Sequence, residues 1–212
     1  MATYRLDNGD ECVASWIDVP VIQKDDRTIG KEKRGKTRSL SRGREADAIR
    51  YAVRDILTQQ PQQKIGVISF YADQVALIRD RLKSIGGALA DVVKTNVRVG
   101  TIDAFQGEQF PIIFLSMTRS SDLELDPEKT PEERARGRYG HLMLKNRMCV
   151  AFSRQQFLMV VVGDRRMLTY PEKWAIGPLV AFDQLCSKSG LHFRWTGKEL
   201  RAVVHREEAA PA

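Results

Sequence analysis

The sequence is poor in the side chains that staple or metallate small domains, with three cysteines and three histidines among 212 residues. Cys12, Cys149 and Cys186 are odd in number, far apart and never in a C-x-x-C pair, which excludes a disulfide framework and a zinc module. His141, His192 and His205 show no ligand spacing, so no metal centre is expected. No apolar run approaches the roughly 18 residues needed to span a bilayer, so no membrane-embedded partner is expected. Residues 1–11 (MATYRLDNGDE) are polar and acidic, unlike a secretory signal. These absences together give the expectation of a cytoplasmic, intracellular and reducing setting. Aromatic residues are scarce at 8%, but apolar residues reach 42%, enough for a buried core and too many for a wholly disordered chain.

What the sequence has in excess is positive charge, a formal net of +7. That excess suits a polyanionic partner, nucleic acid or an acidic membrane surface, or simply a solvated basic face. It is strongly localised. Residues 24–44 hold nine basic and three acidic side chains, a local net of +6, so the other residues together carry only +1. The expectation is a mobile basic loop over residues 20–43 on a nearly neutral body. If that loop touches phosphates, the salt dependence of binding should reveal it.

Residues 12–19 are short, β-branched and end at Pro20, which reads as a strand. Ile49, Ala52, Val53, Ile56 and Leu57 recur at helical spacing before Pro61, predicting a helix over 44–59. Residues 65–69 (IGVIS) form a buried-type strand, and Val75, Ile78, Leu82 and Ile85 mark a second helix stopped by Gly86-Gly87. Strands are expected at 97–102, 112–117 and 157–163, with a charged insertion at 122–139, a helix ending near Arg154, and a packing helix at 177–189. The tail after Leu200 is expected to fray. Continuous apolar strands between amphipathic helices indicate an α/β domain with a mainly parallel sheet covered on both faces.

Residues 30–37, GKEKRGKT, satisfy the phosphate-loop pattern G-x-x-x-x-G-K-[ST]. Such a loop must leave a buried strand directly and open a helix directly. Here the strand signal ends well before Gly30, and Arg38-Ser-Leu-Ser-Arg-Gly43 separates Thr37 from helical periodicity. Glu32 would also repel a phosphate. The segment reads as a solvated basic loop.

A distributed constellation carries more weight. Strand 65–69 runs into Phe70-Tyr71-Ala-Asp-Gln74; residues 101–109 read TIDAFQGEQ; Ser116 to Ser120 read SMTRS; and residues 147–156 read RMCVAFSRQQ. In open parallel sheets ligands sit beyond the carboxyl ends of the strands, where these segments are expected to start or lie close by.

These segments resemble motifs IV, V and VI of superfamily 1 helicases of the nonsense-decay and Okazaki-processing type, with an AAA-type C-terminal motor domain. The match is to the second RecA-like domain and extends from about Trp16 to Gly190. The family's motif IV reads roughly I-G-V-I-[ST]-P-Y-x-x-Q, motif V T-V-D-x-F-Q-G-x-E, and motif VI R-L-N-V-A-[LF]-[ST]-R-A-[RK]. The resemblance implies a RecA-like three-layer α/β/α domain over residues 1–190 and a partly disordered C-terminal extension over 191–212. It also implies ATP and Mg²⁺ as cofactors, both held mainly by a first RecA-like domain, and single-stranded DNA or RNA as partner.

The implied roles fall residue by residue. Arg154 would be the arginine finger that meets the γ-phosphate, a planar permanent charge placed where transition-state charge accumulates. The alternative is a structural salt bridge at a helix end. Gly107 would let backbone approach the nucleotide, with Gln109 and Gln74 on the nucleotide side. Ser69, Phe70, Tyr71, Thr101, Asp103, Gln106 and Arg119 would line the single-strand path or couple it to the nucleotide. For Phe70 and Tyr71, base stacking and core packing both stay open.

The chain departs from the family pattern at Phe70 for Pro, Gln109 for Glu, Cys149 for Asn and Gln156 for a basic residue, and Val75 stands where some relatives place an Arg. It shows no strand-linked Asp-Glu to hold Mg²⁺; the nearest sequence is Gly163-Asp164-Arg165. Arg154 alone cannot hydrolyse ATP. The expectation is therefore a helicase C-terminal motor domain, an ATP hydrolase only together with a first RecA-like domain. The alternative is a non-catalytic nucleic-acid-binding or interaction module derived from one. A stand-alone NTPase using Lys36 is the weakest option.

Overall fold

The computed structural model describes residues 12–203 apart from 26, 36 and 121–125. Along the chain lie β1 (Ala14–Asp18), β2 (Ile22–Lys24), β3 (Arg27–Ile29), β4 (Lys33–Arg34), β5 (Leu40–Ser41), α1 (Gly43–Gln59), β6 (Ile65–Ser69), α2 (Ala72–Lys83) and α3 (Ala90–Asn96). They continue with β7 (Val97–Thr101), β8 (Phe110–Ser116), α4 (Pro131–Tyr139), α5 (Lys145–Ala151), β9 (Gln155–Gly163), α6 (Gly177–Ser189), β10 (Leu191–Trp195) and β11 (Leu200–Val203).

Seven strands form one sheet in the order β11-β10-β1-β9-β8-β6-β7, with every pairing parallel except β10 with β11. Side chains alternate between the two faces of each strand, and the central strands are apolar on both. Ile112, Phe114, Leu158 and Val160 join Ala46, Ile49, Val53, Val75 and Ile78 beneath α1 and α2. Ile113, Leu115, Met159 and Val161 join Ala135, Met148, Leu179 and Phe182 beneath α4, α5 and α6. The result is the three-layer RecA-like α/β arrangement.

Local chemistry sets the element ends. Thr130 and Glu133 form a reciprocal capping box at the start of α4, with Pro131 in its first turn. Tyr71, in extended geometry, precedes α2 without a side-chain cap.

Two expectations are corrected, and one element is added. Residues 20–43 are not a bare loop: Lys24 pairs with Arg27 across β2–β3, and Lys33 with Ser41 across β4–β5. The chain after Gly190 continues the domain. β10 lies parallel to β1, and β11 closes that edge as an antiparallel strand, so the sheet does not stop at 190 and the tail is ordered to Val203. Trp195, 4% exposed, packs 5.5 Å from the Tyr51 ring of α1. A short helix, α3, precedes β7; it buries only Val93, so no apolar periodicity announces it. Residues 122–125 of the charged insertion, residues 204–212 of the tail and residues 1–11 lie outside the described residues.

Candidate nucleotide and nucleic-acid site

Register places Ser69 opposite both Thr101 and Ser116, so β6, β7 and β8 end level at one carboxyl edge. The segments after β6 and β8 start from this edge, as expected. Motif VI does not. β8 is parallel to β9 with Phe110 opposite Gln155, so Arg154 stands at the amino ends of these two strands. The loop from Thr101 to Phe110 has to cross the sheet, because a parallel strand must be re-entered at its amino end. Two groups result, separated by the length of β8, about 20 Å at roughly 3.3 Å per residue.

At the amino end, Arg154 sits between α5 and β9 and is half-buried. Its Nε donates to the Val150 carbonyl at 3.0 Å, and Nη1 reaches the carbonyls of Phe105 and Glu108, both at 3.4 Å. Nη2 donates to Ser153 Oγ at 2.7 Å. These acceptors are neutral, and among the described residues no carboxylate forms an ion pair with it. The structural salt bridge considered for Arg154 therefore has no partner here. Gly107 sits beside it at φ +81°, a backbone conformation that disfavours other residues, with open space where a Cβ would stand. Gln106 and Gln109 are exposed on the same turn. Glu108 is drawn aside by Arg98 at 2.6 Å. Asp103 pairs with Arg147 at 3.2 Å beside a cleft of about 130 Å³ that Gln106, Asn146 and Val150 also line. Asn146 and Arg147 complete this cleft, and no role had been inferred for either from sequence.

At the carboxyl edge, most of the expected residues face inward. Gln74 is fully buried: its Oε1 accepts from the Arg42 amide at 2.7 Å, and its Nε2 donates to Ser116 Oγ at 2.9 Å. As placed, it faces this internal network rather than the open side where a nucleotide was expected. Phe70 and Tyr71 are each 6% exposed, so neither presents a free ring face for stacking, and packing is their role in this arrangement. Burial raises the Tyr71 phenol above its ordinary pKa; its oxygen accepts from the His141 amide at 3.4 Å. Ser69 Oγ lies 3.1 Å from Thr118 Oγ1. Arg119 donates to the carbonyls of Arg138, at 2.7 Å, and Gly137, and pairs with Glu32 at 3.6 Å. It is 8% exposed, so as placed it anchors α4 rather than standing free for a phosphate. Thr101 is half-buried at the end of β7.

Behind this edge lies a buried ionic network. Arg42 and Glu45 are both fully buried and pair at 2.9 Å. The other Glu45 oxygen accepts from Ser116 Oγ at 2.6 Å and from the Thr118 amide at 2.8 Å. Burial pushes the Glu45 carboxyl above the ordinary glutamate range, opposed by the Arg42 guanidinium and the donors on Ser116 and Thr118. The network holds Thr118 at φ +66°, next to Arg119. A signal for it existed in the sequence: Glu45 lies four residues before Ile49, on the apolar stripe of α1.

The phosphate-loop match is not built as one. Lys33 and Arg34 lie in a strand of an antiparallel ribbon, and Thr37 Oγ1 donates to Asp73 at 2.6 Å. Lys36 lies outside the described residues.

A family model described as an AAA domain, AAA_12, matches residues 6–166. The chain belongs to the superfamily 1 helicase family. As a member of that family it is 30% identical over 151 residues to the probable RNA helicase armi of Drosophila melanogaster, covering 70% of this chain and 11% of the relative. It is 32% identical over 115 residues to the putative helicase MOV-10 of Gallus gallus, covering 53% of this chain and 11% of that one. The DNA polymerase alpha-associated DNA helicase A of Saccharomyces cerevisiae is 32% identical over 112 residues, covering 51% of this chain and 13% of the relative. This helicase-family chain thus spans little more than a tenth of the length of these relatives. Among the described residues no helix is long and apolar enough to cross a membrane, and no group of three or more His, Cys, Asp or Glu could hold a metal ion.

Proposed function

We propose that the chain is the second RecA-like motor domain of an ATP-dependent nucleic-acid helicase, with Arg154 as its arginine finger. The single observation that carries this reading is the Arg154 guanidinium itself. It is held by neutral acceptors at the turn bearing Gly107, and no carboxylate among the described residues neutralises it. A permanent cation left uncompensated beside an open glycine turn suits an anionic phosphate group supplied from outside.

The residues present fit part of such a site. Arg154, Gly107 and the exposed amides around Gln106 and Gln109 can meet phosphate oxygens; the described residues offer no ligand set for Mg²⁺. ATP supplies the γ-phosphoryl group and would be bound chiefly by a first RecA-like domain. The contribution of Arg154 is electrostatic: the bonds to Val150 and Ser153 fix the fork, and the two long Nη1 bonds to neighbouring carbonyls are the ones that developing negative charge would replace. The turn from Thr101 to Phe110 starts at the nucleic-acid edge and ends beside Arg154, so movement of one end can be felt at the other.

A second reading draws on the internal engagement of Gln74, Arg119 and Tyr71 together with Gln109, Cys149 and Gln156: a nucleic-acid-binding module that has lost nucleotide coupling. One experiment separates them. With the chain joined to a first RecA-like domain, Arg154→Ala should lower nucleic-acid-stimulated ATPase activity about 10³-fold or more. Unchanged turnover would sink the arginine-finger role. Single-strand affinity that ignores ATP would favour the second reading.

A further inference from the structure

We infer that the antiparallel ribbon β4–β5 forms a preset phosphate-backbone contact, extending the nucleic-acid path at the carboxyl edge of the sheet. This rests on the nucleic-acid reading above and adds a binding surface outside motifs IV to VI.

This ribbon and its neighbour β2–β3 are fixed to that edge at several points. Arg42 donates to the carbonyls of Val19 and Gly30, both at 2.5 Å. Thr37 donates to Asp73 at the start of α2, and Ser39 Oγ accepts from the Asp73 amide at 3.3 Å. Leu40 is buried in the core. Glu32 is turned inward, onto Arg119 and Ser120. That removes one of three local acidic side chains from the outer surface and leaves Lys33, Arg34 and Arg38 outside. Lys33, Arg34 and Arg38 are exposed, and no carboxylate among the described residues pairs with them. Asp73, held by Thr37 and Ser39, lies two residues after Tyr71, which puts the tip of β4–β5 beside the motif IV turn. Arg38 holds φ +64°, and its carbonyl accepts from Arg34 Nη1 at 3.5 Å, so the turn at the tip is built.

A solvated loop would let its charges move apart and would contribute only long-range attraction, screened within about 8 Å at physiological salt. A clamped ribbon presents cations at fixed spacing without the ordering cost of a loop, the condition for counterion release at discrete phosphates.

The test uses the full chain with fluorescent dT20 and rU20 oligonucleotides, titrated between 50 and 200 mM salt without nucleotide. The ribbon variant is Lys33→Gln/Arg34→Gln/Arg38→Asn, asparagine being chosen because it tolerates positive φ. The control removes the same charge elsewhere, Arg54→Gln/Lys83→Gln/Lys94→Gln, and circular dichroism checks that both fold. For three lost contacts the log–log salt slope should shrink by about 2, roughly 0.7 each, and affinity at 0.1 M salt should fall about 100-fold, near fivefold per contact. The control should keep the wild-type slope. A ribbon variant with the wild-type slope, or a control that loses as much, would overturn the proposal while leaving the motor-domain reading intact. No binding by the wild-type chain would overturn both the ribbon and the nucleic-acid half of that reading, whereas the Arg154 experiment tests the nucleotide half alone.

Discussion

Glu45→Ala probes the buried network most directly. In the wild type one carboxylate satisfies a fully buried guanidinium at 2.9 Å, the Ser116 hydroxyl at 2.6 Å and the Thr118 amide at 2.8 Å. Truncation strands all three. Leaving one partner of a buried ion pair uncompensated costs about 3–5 kcal/mol, and a buried orphan amide about 1–3 kcal/mol. Neighbouring losses overlap rather than add, so about 4 kcal/mol is expected in total. For a domain of this size that corresponds to a fall in Tm of about 10 °C. The urea midpoint should drop by about 1.5 M if the slope is near the upper end for small domains. Equilibrium urea unfolding followed by tryptophan fluorescence reads it, since Trp16 lies buried in the same sheet. The double variant Arg42→Met/Glu45→Leu removes the stranded charge and should recover at least about 2 kcal/mol of the loss. A Glu45→Ala loss below about 0.5 kcal/mol, the size of a surface change, would refute the buried pair.

Two further perturbations test the far edge of the sheet. Although burial works against it, hydrogen bonds from His192 and Arg165 hold the Asp183 carboxyl below its ordinary value. A depressed acid contributes stability above its unfolded pKa, about 3.9, and that stability is lost as pH falls through the folded value. Asp183→Asn should therefore be less stable at neutral pH and show a flatter decline below about pH 4, measured by urea midpoints across pH; a decline as steep as wild type would remove Asp183 from the acid limb. Truncation after Gly190 deletes β10 and β11, bares the edge of β1 and removes Trp195, whose loss alone is worth about 3–5 kcal/mol. Cooperative unfolding with the wild-type midpoint would instead restore the view that the domain ends there.

Much of the architecture was legible because burial leaves a period in the sequence. Residues 65–69 and 177–189 coincide with β6 and α6, and α1 follows the Ile49, Val53 and Ile56 stripe. Elements that bury little left no such mark. The ribbons at 22–41 are exposed on most positions, α3 buries one residue, and β11 is an edge strand with one half-buried side chain. Their place is set by backbone pairing and a few polar clamps, neither of which has a period.

The site divides along the same line. Motif order, the residue types at Gly107 and Arg154, the parallel α/β class and the concentration of positive charge between 24 and 44 are properties of the sequence by itself, since each depends on identity or local spacing. Three things were decided only in the folded chain. Parallel re-entry puts Arg154 at the amino end of β9 and Ser69 at the carboxyl end of β6, so one string of motifs becomes two groups about 20 Å apart. Burial turns Gln74, Tyr71 and Arg119 inward, because hydrogen-bonding partners 32 to 70 residues away satisfy Gln74 and Tyr71 there, and Arg119 finds its own 18 and 19 residues on. Arg42 orders a basic stretch into fixed ribbons by donating to the Val19 and Gly30 carbonyls, 23 and 12 residues away. In each case the deciding contact joins residues distant in sequence, and only the closed sheet brings them within reach.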